Sequence, residues 1–236
     1  MTLIIALACK DGVILASDGQ ATTLSTGGPI RRAISKIKKL GDQKLWAASG
    51  SVGMIQKVET VLNTLPKEIL NAPLGELQLR QAILQNAHAI RAHELQRHRT
   101  LHGQGRDMEA GVADLLMVEY AKKACIWHIN PDCADEFLEE FGYGCSGSGD
   151  IFAHTLIKNF KVMEFQIEQG TLIAYRVIRE AIDIGAFGLG EPIDIWIIDK
   201  DGIKQKPLPE MLALRDAYSA WREAEEGIFK KLFVKD

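Results

Sequence analysis

Thr2 follows Met1 and opens an apolar run, T-L-I-I-A-L-A-C. If Met1 is removed, one residue carries both a hydroxyl and a free α-amine. An α-amine has a reference pKa of about 7.7–8.0, near working pH, so it can take the hydroxyl proton without a separate histidine. Threonine is small enough for methionine aminopeptidase to clear the residue before it, and the expected mature chain begins at Thr2. Met-Thr starts are common, so the pair alone carries little weight.

Other patterns point to chemistry less well. Gly142, Gly144 and Gly147 satisfy G-x-G-x-x-G before a helical stretch. A dinucleotide site also needs a parallel βαβ crossover, which the flanking order does not supply. His93-Glu94 and His98 resemble a zinc-protease pair with one residue too many, so the imidazoles point to different helix faces. No metal or other cofactor is expected.

The elements that must position Thr2 are legible from periodicity. Residues 2–9 and 13–17 read as a hairpin around Asp11-Gly12, and Thr22–Pro29 as a small, polar, Gly-rich loop. Lys36–Leu40 and Lys44–Ser49 read as short strands. Met54, Val58, Val61, Leu62 and Leu65 recur at helical spacing up to Pro66, and a longer helix covers roughly 74–99. Gly103–Arg106 breaks the chain. Strands follow near 111–119 and 123–129, then a Gly/Ser-rich turn at Gly142–Gly149 and helices near 150–159 and 167–184. Pro192–Asp199 reads as a buried strand, followed by a short one and a charged helical tail at about 209–231. Helices grouped in this order can cover both outer faces of two stacked antiparallel sheets. The expected fold is α+β, a four-layer α-β-β-α sandwich formed as one domain over residues 1–236.

A hydrophobic fraction of 47% over 236 residues is enough for a sizeable core. A net charge of −3 gives no reason to expect nucleic acid or an anionic membrane as partner. The short apolar start, ending at Cys9-Lys10-Asp11, reads as neither signal peptide nor membrane span. Four cysteines without C-x-x-C spacing read as reduced thiols in a cytoplasmic protein.

The opening T-L-I-I-A-L-A-C-K-D-G-V-I-L-A-S-D-G-Q-A-T resembles the start of proteasome β-type subunits and of the bacterial HslV peptidase. These are N-terminal nucleophile hydrolases whose fold is the same sandwich. The resemblance spans roughly residues 2–200, and within it the proteasome homologue of β-proteobacteria is the nearest subgroup. It implies Thr2 as nucleophile, Asp18 as the acidic residue of the second strand and Lys36 as the catalytic lysine, 14 residues before Gly50. It implies Gly50 as the oxyanion N–H and Ser148 as the serine beside the threonine amine. Thr22 and Gly50 match the backbone that holds substrate as an added strand. Ala21, Ile34, Lys38, Ala48 and Val52 match the first specificity pocket. Small Ala48 with Ile34 and Val52 favours an apolar side chain there, whereas Lys38 would attract an acidic one.

Each implied role has a physical basis. A nearby ammonium favours the ionised hydroxyl, a carboxylate orients that ammonium, and a glycine lets backbone approach the tetrahedral intermediate closely. One departure stands out. The family often places an Asp and a Ser after the last core helix to support the amine; here Asp183–Glu191 is shorter and has no serine. The resemblance implies a threonine endopeptidase in a stacked double ring of identical subunits, acting on peptides or unfolded protein, with an ATPase unfoldase ring as a further partner. Two rival readings are an amidase acting on a small-molecule amide and a non-catalytic ring scaffold. The scaffold subunits carry an N-terminal helical extension before the first strand, which this chain is not expected to have.

Overall fold

A computed structural model describes residues 2–25, 28–102, 113–185 and 188–233; the side chains of 23–29, 98, 101, 102 and 233 are not described. Met1, the Gly103–Arg106 break and the His98 and His102 side chains lie outside the described residues. The strands are β1 (Ile4–Cys9), β2 (Gly12–Asp18), β3 (Gln20–Ser25), β4 (Gly28–Ala33), β5 (Ile37–Leu40), β6 (Lys44–Ser49), β7 (Asp114–Tyr120), β8 (Ala124–Ile129), β9 (Asp135–Phe137), β10 (Tyr143–Ser146), β11 (Ile193–Asp199) and β12 (Gly202–Gln205). The helices are α1 (Val52–Thr64), α2 (Lys67–Leu70), α3 (Leu77–His102), α4 (Asp150–Ile157), α5 (Ile167–Ile184) and α6 (Leu208–Phe233).

Two five-stranded sheets are ordered β10-β1-β2-β11-β12 and β5-β6-β7-β8-β9, and β3-β4 form a separate hairpin. All strand pairs are antiparallel. Because successive side chains point to opposite faces of a strand, each sheet feeds two apolar layers. In the first sheet Ile5, Leu7, Ile14, Ala16 and Ile195 pack under α4 and α5. In the second, Trp46, Leu115, Met117 and Trp127 pack under α1 and α3. The alternate residues, Ile4, Ala6, Val13, Leu15, Leu45, Ala47, Leu116, Val118 and Ile126, fill the space between the sheets. This is the expected α-β-β-α sandwich.

Two local expectations are corrected. The Thr22–Pro29 segment is mostly the hairpin β3–β4 rather than a loop, because its backbone finds cross-strand partners from Gln20↔Ala33 to Ser25↔Gly28. Gly142–Gly149 is not one turn: Tyr143–Ser146 pairs with β1 and closes the edge of the first sheet. That antiparallel pairing also removes the βαβ context a dinucleotide fingerprint would need. The short strand expected after Asp199 is present as β12, paired with β11.

α5 carries the sharpest sequence signals. A reciprocal Gln166/Gln169 capping box starts it, and Gly185 at φ 68° ends it. Its buried face, from Ile167 to Ala181, holds down the sheet that bears Thr2.

A buried charge pair fastens the helical layer to the second sheet. Lys44 Nζ lies 3.5 Å from Glu119 Oε1 and donates to the Leu70 carbonyl at 2.9 Å. Glu119 Oε2 accepts the Leu74 N–H at 2.7 Å. Lys44→Met should therefore destabilise the fold by about 3–5 kcal/mol, since it strands a buried carboxylate. Adding Glu119→Gln, which keeps an acceptor for Leu74, should recover much of that loss. Urea unfolding of both variants checks this, and a double variant no better than the single would refute it.

Candidate active site

Thr2 leads into β1, and Asp18 closes β2 directly across from Leu3. The Asp18 N–H donates to the Leu3 carbonyl at 3.2 Å, and the Leu3 N–H donates to Asp18 Oδ1 at 3.0 Å. Asp18 has no solvent exposure. Its Oδ2 accepts the Gln20 and Gly190 N–H groups, each at 3.2 Å. Its Oδ1 also accepts Lys36 Nζ at 2.5 Å. A carboxylate buried this deeply requires such a set of donors.

Lys36 lies on the short crossing from β4 to β5. That crossing is tied to the first sheet at two places. The Ile34 N–H donates to the Gly19 carbonyl at 2.8 Å, and the Ser35 hydroxyl donates to Asp194 of β11 at 2.8 Å. The Gln205 amide holds the other Asp194 oxygen at 2.9 Å. The ammonium so placed donates to Thr2 Oγ1 at 3.2 Å. Burial pushes Lys36 below the usual lysine range, with the charge and hydrogen bond of Asp18 opposing that fall.

On the other side of Thr2, its backbone nitrogen lies 3.3 Å from Ser148 Oγ, which also lies 3.4 Å from the Thr2 carbonyl. The chain can pass this close only because residue 147 is glycine. It sits at φ 102°, and a Cβ there would fall 2.1 Å from the Thr2 carbonyl oxygen. Gly50 follows β6 at φ 124° and brings its backbone to the same place from the second sheet. Thr2, Gly50, Ser148, Ser49, Asp114 and Asp150 are among the walls of a cavity of about 360 Å³. Asp18, Lys36, Gly50 and Ser148 thus all gather around Thr2, although they come from four separate stretches of chain.

The residues matched to the specificity pocket are placed less uniformly. Ile34 and Val52 are exposed, Ala48 is buried beneath the helices, and Ala21 and Thr22 lie within β3 of the β3–β4 hairpin. The Lys38 ammonium is ion-paired with Glu59 and lies over the Trp46 ring. None of the six lines the cavity just described. Asp183 is held by Arg179, which also takes Glu191. The segment after α5 instead reaches the site through the Gly190 N–H on Asp18.

Sequence reasoning missed a polar row at the open end of the inter-sheet layer. Ser49 Oγ and Ser146 Oγ are 2.9 Å apart, and Ser146 donates to Asp114 Oδ2 at 2.7 Å. Asp114 Oδ1 lies 2.6 Å from His128 Nε2, and His128 Nδ1 lies 3.2 Å from Glu136. The available signal was strand parity: Asp114 and His128 fall on the same alternation as Leu116 and Ile126, which face the first sheet.

The antiparallel double sandwich is the fold of the N-terminal nucleophile hydrolases. The family model for proteasome subunits matches residues 2–198, and the chain belongs to that family. It is 26% identical to proteasome subunit beta 1 of Thermococcus sibiricus over 205 residues, 86% of this chain and 89% of that protein. It is also 26% identical to a proteasome subunit beta of Methanococcus maripaludis over 207 residues, 86% of this chain and 85% of that one. Among solved structures, a Gly-1 mutant of Anbu from Hyphomicrobium sp. strain MC1 superposes along the whole of both chains with a TM-score of 0.74 at 12% identity. Among the described residues no helix is long and apolar enough to cross a membrane.

Burial pulls the His128 pKa down, but the hydrogen bonds and charges of Asp114 and Glu136 together leave it above its usual 6.5. A proton held more tightly in the folded state stabilises that state. The contribution is complete below pH 6.5 and fades as pH rises through the raised folded value. The gap in Tm between wild type and His128→Gln should therefore shrink from mildly acidic to alkaline pH. A gap that stays constant across that range would rule the effect out.

Proposed function

We propose that the chain is a threonine-type endopeptidase subunit acting with Thr2 as its first residue. The observation that carries this reading is the triangle of Thr2 Oγ1, Lys36 Nζ and Asp18, with contacts of 3.2 and 2.5 Å. In this mechanism Thr2 Oγ1 attacks the scissile carbonyl carbon as its proton passes to the Thr2 α-amine. The Lys36 ammonium favours the ionised oxygen, and the Gly50 N–H meets the developing oxyanion. Collapse breaks the C–N bond, and the departing amine takes the proton from the α-amine. Water, activated by the same amine, then hydrolyses the Thr2 ester and restores the hydroxyl. Ser148 holds the amine in place. Asp18 orients Lys36 through their 2.5 Å contact.

The substrate is an extended peptide laid against the Thr22 and Gly50 backbone, with an apolar residue before the scissile bond. Pairing of Lys38 with Glu59 supports the apolar choice, because that ammonium is already engaged. Kinship to proteasome β subunits supports a ring of identical, single-domain subunits, stacked in pairs around an inner chamber and fed unfolded protein by an ATPase ring. A bacterial cytoplasm suits such a particle.

Turnover of fluorogenic peptides tests this. Thr2→Ala should fall to background, and Lys36→Ala should lose about 10²–10⁴-fold in kcat. N-terminal sequencing should show Thr2 first. Wild-type turnover in Thr2→Ala would overturn the reading, as would a Met1 retained in fully active protein. Preferred cleavage after Glu or Asp would overturn the apolar assignment alone.

A further inference from the structure

We propose that Asp114 and His128 are positioning residues for the Thr2 site, fixing the spacing of its two lips through Ser146 and Ser49. This rests on the threonine-peptidase reading and adds residues to it.

One lip belongs to the first sheet. Ser146 ends β10, and Gly147 and Ser148 follow it, pressed against the Thr2 carbonyl and nitrogen. The other lip belongs to the second sheet, where Ser49 ends β6 and Gly50 follows. During reaction the distance between these lips sets the distance from the amine's partner to the oxyanion donor. The layer between the sheets is mostly apolar side chains, which resist separation but impose little direction on sliding. At the site end, the Ser49–Ser146 hydrogen bond crosses that layer at 2.9 Å, with both side chains buried.

The direction of this bond is set from below. Ser146 donates its hydroxyl proton to Asp114 at 2.7 Å, so it must accept the proton of Ser49. Asp114 is the cross-strand neighbour of Ser49, which makes its carboxylate a rigid anchor on the second sheet for a serine of the first. His128 fixes the anchor in turn. Its Nε2 faces Asp114, and its Nδ1 faces Glu136, the residue directly across on β9. With a carboxylate at each nitrogen, the ring is best satisfied when both nitrogens donate. The row therefore runs in one sense from Ser49 through Ser146 to Asp114, and from His128 back to the same carboxylate. A bond to an ionised acceptor is stronger and better oriented than one between neutral groups.

Loss of this lock should act on the reaction more than on substrate binding, because it disturbs how the oxyanion donor and the amine are placed relative to each other. The experiment measures kcat, KM and Tm for Ser146→Ala, Ser49→Ala, His128→Phe and His128→Gln, with Thr2→Ala as control. Ser146→Ala and His128→Phe should each lower kcat about ten-fold, the loss of one charge-assisted hydrogen bond, with little change in KM. Their double variant should lose little more than either alone, as expected for links in one chain. His128→Gln, which can still donate to Asp114, should recover most of kcat. Should Ser146→Ala or His128→Phe fail to fold, Ser49→Ala reads the same bond from its other end. Unchanged kcat in folded Ser146→Ala or Ser49→Ala would overturn the proposal, and so would a loss confined to KM or a Gln variant as slow as Phe. Activity surviving in Thr2→Ala would instead overturn the peptidase reading together with this one.

Discussion

The carboxylate of Asp18 is the point on which the rest of this arrangement depends. It is wholly buried and must be satisfied from several directions. The donors that satisfy it are also the parts that build the site. The Leu3 N–H belongs to the strand that Thr2 leads into, the Gln20 N–H starts the β3–β4 hairpin, and the Gly190 N–H comes from the return after α5. The fourth donor is the lysine beside the threonine hydroxyl. If any of these segments shifts, a buried anion loses a partner, so the energetic demand of one side chain becomes a geometric demand on four stretches of chain.

This convergence also accounts for the departure after α5. A serine and an aspartate there would serve the threonine amine, and the sequence lacks the serine. The segment instead serves the carboxylate, with Gly190 on Asp18 and the Gln20 amide holding the Gly188 carbonyl at 2.9 Å. Asp183 is committed to Arg179 on the exposed side of the helix. At the Thr2 nitrogen, Ser148 makes the contact, and Gly147 lets it come close enough to do so. The shortened segment thus stiffens the lysine side of the threonine and leaves its nitrogen to Ser148, just past β10.

What could be read from sequence follows from how local each feature is. The boundaries of α5 follow from its own residues, since the capping box, apolar stripe and terminal glycine all act within a few positions. Thr2, Asp18 and Lys36 were placed by resemblance, and the structure gathers them. The β3–β4 hairpin was missed because Thr22–Pro29 has loop-like composition and becomes strand only through partners up to nine residues away, as in Thr22↔Arg31. The Ser49–Ser146–Asp114–His128 row was missed for a stronger reason of the same kind. Its members sit on four strands of two sheets, and Ser146 lies 97 residues from Ser49 and 32 from Asp114.

A sandwich of two sheets has one weakness as a scaffold for catalysis. Its apolar middle layer gains free energy from being closed, but dispersion and hydrophobic contact vary slowly with small lateral shifts. Hydrogen bonds do not, because they weaken steeply with distance and angle. The most exact part of the site should therefore lie where the apolar layer gives way to directional contacts. At the open end here, Ile4, Ala47 and Leu116 are succeeded along their strands by Thr2, Ser49 and Asp114. The alternation that buries the core also delivers Thr2 and the polar row to one edge. Core and site are one pattern, changed from apolar to polar over a single strand step.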